Sequence, residues 1–171
     1  LQVIACKNYK HSVAYMLPVP PSPNLRSAQA IALYPSLCLF EGTSVSVGRG
    51  TARPFEMFGH PKFPNQGFQF TPKSSKGSKH PLWKDQVCNG VDLRTNKNTA
   101  QFNLEWLISA KKYLDDTHEF VTSPSFFDRL AGTSQLRKML NEGKTDSEIR
   151  STWVDDLSHF KKMRAKYLLY D

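Results

Sequence analysis

Residues Tyr34–Glu56 read YPSLCLFEGTSVSVGRGTARPFE, and this stretch sets how the rest of the chain is organised. The apolar run Leu37-Cys38-Leu39-Phe40 predicts a strand that delivers one acid, Glu41, into a Gly42-Thr43 turn. A short alternating run, Ser44–Val47, follows, then Gly48-Arg49-Gly50-Thr51, Arg53, Pro54 and Glu56. Two carboxylates and two guanidiniums therefore fall within sixteen positions, among glycines and hydroxyls. Polar groups held at the end of a rigid element often form the rim of a binding cleft. The alternative is a hairpin whose charges are simply solvated.

Working outward, the first hundred residues read as short strands joined by Pro/Gly loops. Strands are expected at Gln2–Cys6, Leu37–Phe40, Ser44–Val47, Phe55–Phe58, Phe68–Thr71 and Gln86–Leu93. Pro18, Pro20, Pro21 and Pro23 force an extended segment that turns at Ser22-Pro23-Asn24. Ser27 can cap a short helix from Ala28 to about Tyr34. Beyond residue 100 the apolar period becomes helical. Phe102, Trp106, Leu107, Ala110, Tyr113 and Leu114 predict a helix over 102–116. Ser123-Pro124 opens a short helix through Leu130, and a second runs from Ser134 to Asn141. Thr145-Asp146-Ser147-Glu148 is a capping box that starts a long helix to about Tyr167, with Ile149, Trp153, Leu157, Phe160 and Tyr167 as its buried stripe. The expected fold is α+β, a single domain over 1–171, with a mixed or antiparallel short-strand half followed by a helical half.

The 171 residues suffice for one domain with a real core, and 39% hydrophobic content reads as globular and soluble. No apolar run approaches the ~20 residues of a membrane span. Leu1–Ala5 already has strand character without a Met or a signal-type leader, so we expect a piece of a longer polypeptide. Residues 1–100 hold 12 Lys/Arg against 4 Asp/Glu, whereas residues 101–171 hold 11 of each. The whole formal +8 thus lies in the half with the Glu-Arg stretch, which suggests an anionic partner. Solubility accounts for the lysines between Lys62 and Lys84, in a loop free to be mobile. Cys6, Cys38 and Cys88 are too far apart to suggest a zinc site or a disulfide framework.

Several chemistries fail on their own spacing rules. Gly143-Lys144-Thr145 has Lys138 where a phosphate-binding loop needs its first glycine. Gly48-Arg49-Gly50 has Arg53 at the third glycine of a dinucleotide fingerprint. The five histidines lack metal-ligand spacing, and no nucleophile elbow accompanies Ser, His and Asp. The aromatics do not alternate with Lys/Arg on a strand as nucleic-acid platforms do. We expect no metal, no cofactor, no nucleic acid and no membrane insertion.

The irregular signature itself resembles a known family. PSPN at Pro21–Asn24, the Tyr34–Thr51 run and RPFE at Arg53–Glu56 resemble the NamZ-type peptidoglycan exo-β-N-acetylmuramidases, a bacterial glycoside hydrolase family. Gly90-Val91-Asp92-Leu93, the Trp106 helix, Phe126–Gly132 and Glu148-Ile149-Arg150 through Lys166–Tyr170 extend the likeness over nearly the whole chain. The resemblance implies a C-terminal, substrate-binding domain, with an N-terminal Rossmann-like domain absent from this chain. It implies an active cleft between the two, whose principal catalytic carboxylate the N-terminal part contributes. The implied partners are that domain and peptidoglycan fragments carrying N-acetylmuramic acid, and the implied location is the bacterial cell envelope, periplasmic or secreted. A non-catalytic module that binds anionic cell-wall glycan is the alternative.

Under this resemblance Arg49 and Arg53 would read the lactyl carboxylate of muramic acid, since a planar guanidinium suits bidentate recognition. Asn24 and Thr43 offer hydrogen bonds to sugar hydroxyls or the acetamide. Glu41 is the candidate acid, free to bond the sugar, orient an arginine or assist catalysis. Its other role, bracing the loop against Arg49 or Arg53, remains open. Glu56, beyond Pro54 in an expected strand, reads as structural.

Overall fold

The computed structural model describes residues 2–99, 101–114 and 120–170. Its core forms where a helical start, a small sheet and a set of short helices converge, so the α+β class holds. The residues taken as the strand before Glu41 are not a strand. Ser27 Oγ accepts the Ala30 amide and starts helix α1, Ala28–Leu37, rich in Ala and Leu. Ala30, Leu33 and Leu37 repeat at helical spacing, and all are buried. The helix accommodates Pro35 and runs three residues beyond Tyr34, into a 3-10 turn over Cys38–Gly42. Leu37, Leu39 and Phe40 are all buried, as a helix end plunging into a core allows. Glu41 therefore leaves a helical turn, not a strand.

Three strands make an antiparallel sheet in the order β1-β3-β2: β1 Met57–His60, β2 Gln69–Phe70 and β3 Cys88–Asp92. Met57 pairs with Asp92 and His60 with Asn89, while Phe70 pairs with Cys88. The expected Ser44–Val47 strand contributes a single bridge, Ser46 to Gly59, with two backbone bonds of 2.9 Å. Residues 2–6 form no strand, which leaves the first hundred residues with less sheet than their composition suggests. Phe40 stacks on Phe58 at 4.9 Å, joining the 3-10 turn to the sheet.

The helical half follows the expected order. Helix α2 is Glu105–Tyr113, α3 Pro124–Ala131 and α4 Gln135–Asn141. Positions 115–116, expected to end α2, lie outside the described residues, as do Leu1 and His118. Arg137 joins α4 to α3 by two bonds to Asp128, 2.8 and 2.7 Å. The first turn of α3 presses against Gly42, where an added Cβ would come within 2.8 Å of the Phe127 Cβ. Only glycine permits that approach.

The long C-terminal helix is in fact two: α5 Asp146–Ser151 and α6 Val154–Ala165. The capping box at Thr145 and Glu148 is present. Ser151 and Thr152 then turn their hydroxyls back onto the Glu148 and Ile149 carbonyls at 2.7 Å, a habit that bends or ends helices. Ile149 is buried and Trp153 half-buried, but Leu157, Phe160 and Tyr167 are exposed, so the expected buried stripe stops at the break.

Candidate functional site

The chain from Phe40 to Arg49 encloses a cleft of about 160 Å³. Phe40, Val45 and Val47 make it apolar, Glu41, Thr43, Ser46 and Arg49 supply polar groups, and Leu82 closes one side. Glu41 and Arg49 form an ion pair here, with side chains 17% and 35% exposed. The Arg49 guanidinium also lies over the Phe55 ring, 5.1 Å from its centroid, a cation–π geometry. The glycines that flank Arg49 have positive φ, 74° at Gly48 and 84° at Gly50. At Gly50 a Cβ would stand 2.5 Å from the Lys73 carbonyl, and the Lys73 amide donates to the Gly50 carbonyl at 2.9 Å. The arginine is thus carried on a turn that only glycines can make this tightly.

The other residues expected at the site are distributed unequally. Thr43 lines the cleft, but its hydroxyl donates to the Phe40 carbonyl at 2.8 Å and accepts from the Val45 amide at 3.1 Å. It holds the turn. Asn24 is buried outside the cleft lining and donates from Nδ2 to the Gly77 carbonyl at 2.9 Å. That bond ties the lysine-rich loop to the PSPN turn. Arg53 also lies outside the lining. Its side chain is 57% exposed, and its guanidinium stands 3.6 Å from Glu56 Oε1. Glu56 is buried and accepts the Ser27 hydroxyl at 2.6 Å, which links the start of α1 to the loop.

Tyr34 and Cys38 lie behind the cleft, outside its lining but near enough to feel the Glu41 charge, and sequence reading missed them. Tyr34 packs edge-on against Phe55 at 5.1 Å. Burial, then the Glu41 and Cys38 charges, push its phenol above 10.0, with Arg49 opposing. Burial and then Glu41 likewise push the Cys38 thiol above 9.0. Tyr34, Cys38 and Glu41 fall at i, i+4 and i+7, one face of a helix. Reading the segment as a strand hid that relation. Leu82 and Trp83 were also missed. The Trp83 indole donates to the Ser44 carbonyl at 2.7 Å and its ring meets His60 at 4.6 Å. No motif in the sequence announces this overlay.

A larger cavity of about 350 Å³ opens among Lys111, Lys112, Leu140 and Lys144 and shares no residue with the cleft. Its described lining brings together three lysines, whereas the Glu41–Arg49 cleft pairs an acid with a base and is the better chemical candidate. Among the described residues no cluster of three His, Cys, Asp or Glu could hold a metal ion, and no helix is long and apolar enough to cross a membrane.

Fold and cleft together define an α+β domain with a small charged cleft where its first helix ends. The chain belongs to the family described as "Exo-beta-N-acetylmuramidase NamZ, C-terminal", whose model matches residues 32–170. It is 30% identical over 192 residues to the peptidoglycan beta-N-acetylmuramidase NamZ of Bacillus subtilis (strain 168), an alignment covering 99% of this chain and 45% of that protein. Among solved structures it resembles a DUF1343 family protein of Bacteroides fragilis NCTC 9343, with a TM-score of 0.92 and 45% identity over 99% of this chain and 49% of that one. A second DUF1343 protein from the same strain, 18% identical with a TM-score of 0.73, covers 95% of this chain and 49% of its own and shows the shared fold. The chain spans about half the length of these relatives.

Proposed function

We propose that this chain is the C-terminal, glycan-binding part of an exo-β-N-acetylmuramidase that removes terminal N-acetylmuramic acid from peptidoglycan fragments. The observation that carries the reading is the Glu41–Arg49 pair, held over Phe55 at the cleft in a chain of this family. N-acetylmuramic acid bears a lactyl carboxylate, and a guanidinium already held in place can exchange Glu41 for it with little loss of side-chain freedom. Hydrolysis of a glycoside needs two carboxyl groups flanking the bond. Among the described residues Glu41 is the one carboxylate lining this cleft, and on this reading the second belongs to the part of the full-length protein outside this chain. The cleft volume agrees: about 160 Å³ falls below the roughly 300–1,000 Å³ usual for a ligand pocket. It is one wall of a cleft. Such a substrate puts the protein at work in the cell envelope, and no cofactor is needed.

The lone carboxylate also favours a second reading, a module that binds anionic cell-wall glycan without cutting it. The two part in one experiment. A full-length protein containing this chain is assayed for release of N-acetylmuramic acid beside the 171-residue chain alone. Release by the full-length form only is expected. Binding without release in both forms would establish the second reading, and full release by the 171 residues alone would overturn the shared cleft.

A further inference from the structure

Leu82 is the apolar lining residue of the Glu41–Arg49 cleft that has surface to lose to a ligand. Phe40, Val45 and Val47, on the same lining, are core side chains at most 4% exposed, whereas Leu82 is 45% exposed. A single exposed leucine is ordinary on a protein surface. The backbone that carries this one is not. Among the described residues, four that are not glycine have positive φ: Asn8, Phe55, Trp83 and Asp85. Asparagine adopts this region readily, but a bulky aromatic there is strained and persists only where its surroundings over-determine it. Both aromatics stand at this cleft. Phe55, at φ 60°, lies against the Arg49 guanidinium, and Trp83, at φ 59°, directly follows Leu82.

The segment 81–85 is pinned from several sides. The Trp83 indole donates to the Ser44 carbonyl at 2.7 Å, and its ring meets His60 edge-on. The Asp85 amide donates to the Pro72 carbonyl at 2.8 Å, and the Gln86 amide to the Trp83 carbonyl at 3.0 Å. Pro81 is buried, and its Cγ stands 2.7 Å from where a Cβ on Gly50 would lie. The chain neighbours of Arg49 and of Leu82 therefore press together, and both residues line the same small space.

We propose that Leu82 is a specificity-determining residue of this cleft, packing on the methyl of a lactyl substituent whose carboxylate Arg49 holds. The proposal rests on the reading of the cleft as a muramic-acid site. At about 160 Å³ the space falls short of a whole ligand pocket and suits one substituent of a sugar. The lactyl group carries both chemistries that these walls offer: an anionic end for Arg49, and a methyl on the adjacent carbon for an aliphatic surface. An acetamide has a methyl but no charge to exchange for Glu41, and a hydroxyl has neither. Strain at Trp83 then has a use. It fixes Leu82 at a set place relative to the arginine, where a relaxed loop would drift.

Isothermal titration of a full-length protein containing this chain tests this with three sugars: N-acetylmuramic acid, its desmethyl analogue 3-O-carboxymethyl-N-acetylglucosamine, and N-acetylglucosamine. The native protein should bind the lactyl sugar roughly 4-fold or more tighter than the carboxymethyl sugar, the worth of one buried methyl, and both well above N-acetylglucosamine. Leu82→Ala should abolish the first preference and keep the second, with the melting temperature little changed because the side chain is exposed. Leu82→Met, close to leucine in volume, should restore the preference. Equal affinity of the native protein for the lactyl and carboxymethyl sugars, both above N-acetylglucosamine, would overturn the role of Leu82 and leave the muramic-acid reading in place. An equal loss for all three sugars in Leu82→Ala would do the same. A native protein that binds all three sugars alike would sink that reading, and this proposal with it.

Discussion

Glu41 and Arg49, eight residues apart in sequence, close on each other as an ion pair across a half-exposed cleft. The pair makes one residue answerable to two demands: Glu41 braces the arginine that a substrate carboxylate would claim. In a full-length protein, Glu41→Gln keeps the shape and removes the charge. Turnover should fall at least ~10²-fold, the low end for a positioned acid or base. A partly exposed pair is worth about 1 kcal/mol, so the melting temperature should drop only about 2–4 °C. Normal turnover together with that drop would show that Glu41 braces the loop and nothing more.

The two arginines should behave differently, because only Arg49 lines the cleft. Arg49→Ala should weaken binding of N-acetylmuramic acid by roughly 30- to 150-fold, the value of a charge-assisted bidentate contact of about 2–3 kcal/mol. N-acetylglucosamine, which lacks the lactyl group, should lose far less. Arg53→Ala should change either sugar little, since its guanidinium faces solvent beside Glu56. Isothermal titration with both sugars decides. Equal losses for the two sugars with Arg49→Ala would mean that the arginine holds the loop and does not select the ligand.

Much of this site was legible in the chain because it is local. Glu41, Thr43 and Arg49 lie within nine positions, and the glycines around Arg49 announce a tight turn. The capping box at Thr145 and Glu148 is equally local, and it is present as read. What escaped depends on distant neighbours. Leu37–Phe40 has strand composition, yet Leu37, Leu39 and Phe40 are buried at the end of a helix that Ser27 caps ten positions earlier. The resulting error in period hid Tyr34 and Cys38. Trp83 reaches the site only by folding over Ser44, 39 residues away, which no spacing rule anticipates. The break at Thr152 turns on two hydroxyls choosing backbone carbonyls over water.

Ser27 joins two structural tasks in one hydroxyl, capping α1 through Ala30 and donating to buried Glu56 at 2.6 Å. Ser27→Ala removes a cap worth about 1 kcal/mol and a hydrogen bond to a charged group worth about 1.5–3 kcal/mol. Thermal unfolding should fall on the order of 5–10 °C for a chain of this size. Glu56→Gln should also destabilise, and the double variant should lose less than the two separately, since they share the bond. Strict additivity in the double-mutant cycle would show that the two side chains act independently.

Glu148 provides a pH signature for the fold. One carboxylate oxygen accepts the Thr145 amide and the Thr145 hydroxyl, each at 2.8 Å, and the other accepts the Lys144 ammonium at 3.1 Å. The Thr145 amide, then its hydroxyl, then Lys144 bring the pKa down from 4.5 to about 2. Between those values the unfolded chain binds a proton that the folded chain does not, so stability rises with pH across that window. The contribution is complete above about 4.5 and is lost as pH falls through about 2. Glu148→Gln removes the titration, and comparing it with the native chain cancels other acids such as Asp92 and Asp128, which are also lowered by their arginines. The gap in urea midpoint between the two proteins should therefore be constant at neutral pH and narrow steadily through the acid window. Added salt should shrink the part due to exposed Lys144 and spare the bonds to Thr145. A gap that does not change with pH would show that the box works through neutral hydrogen bonds that glutamine reproduces or loses regardless of charge.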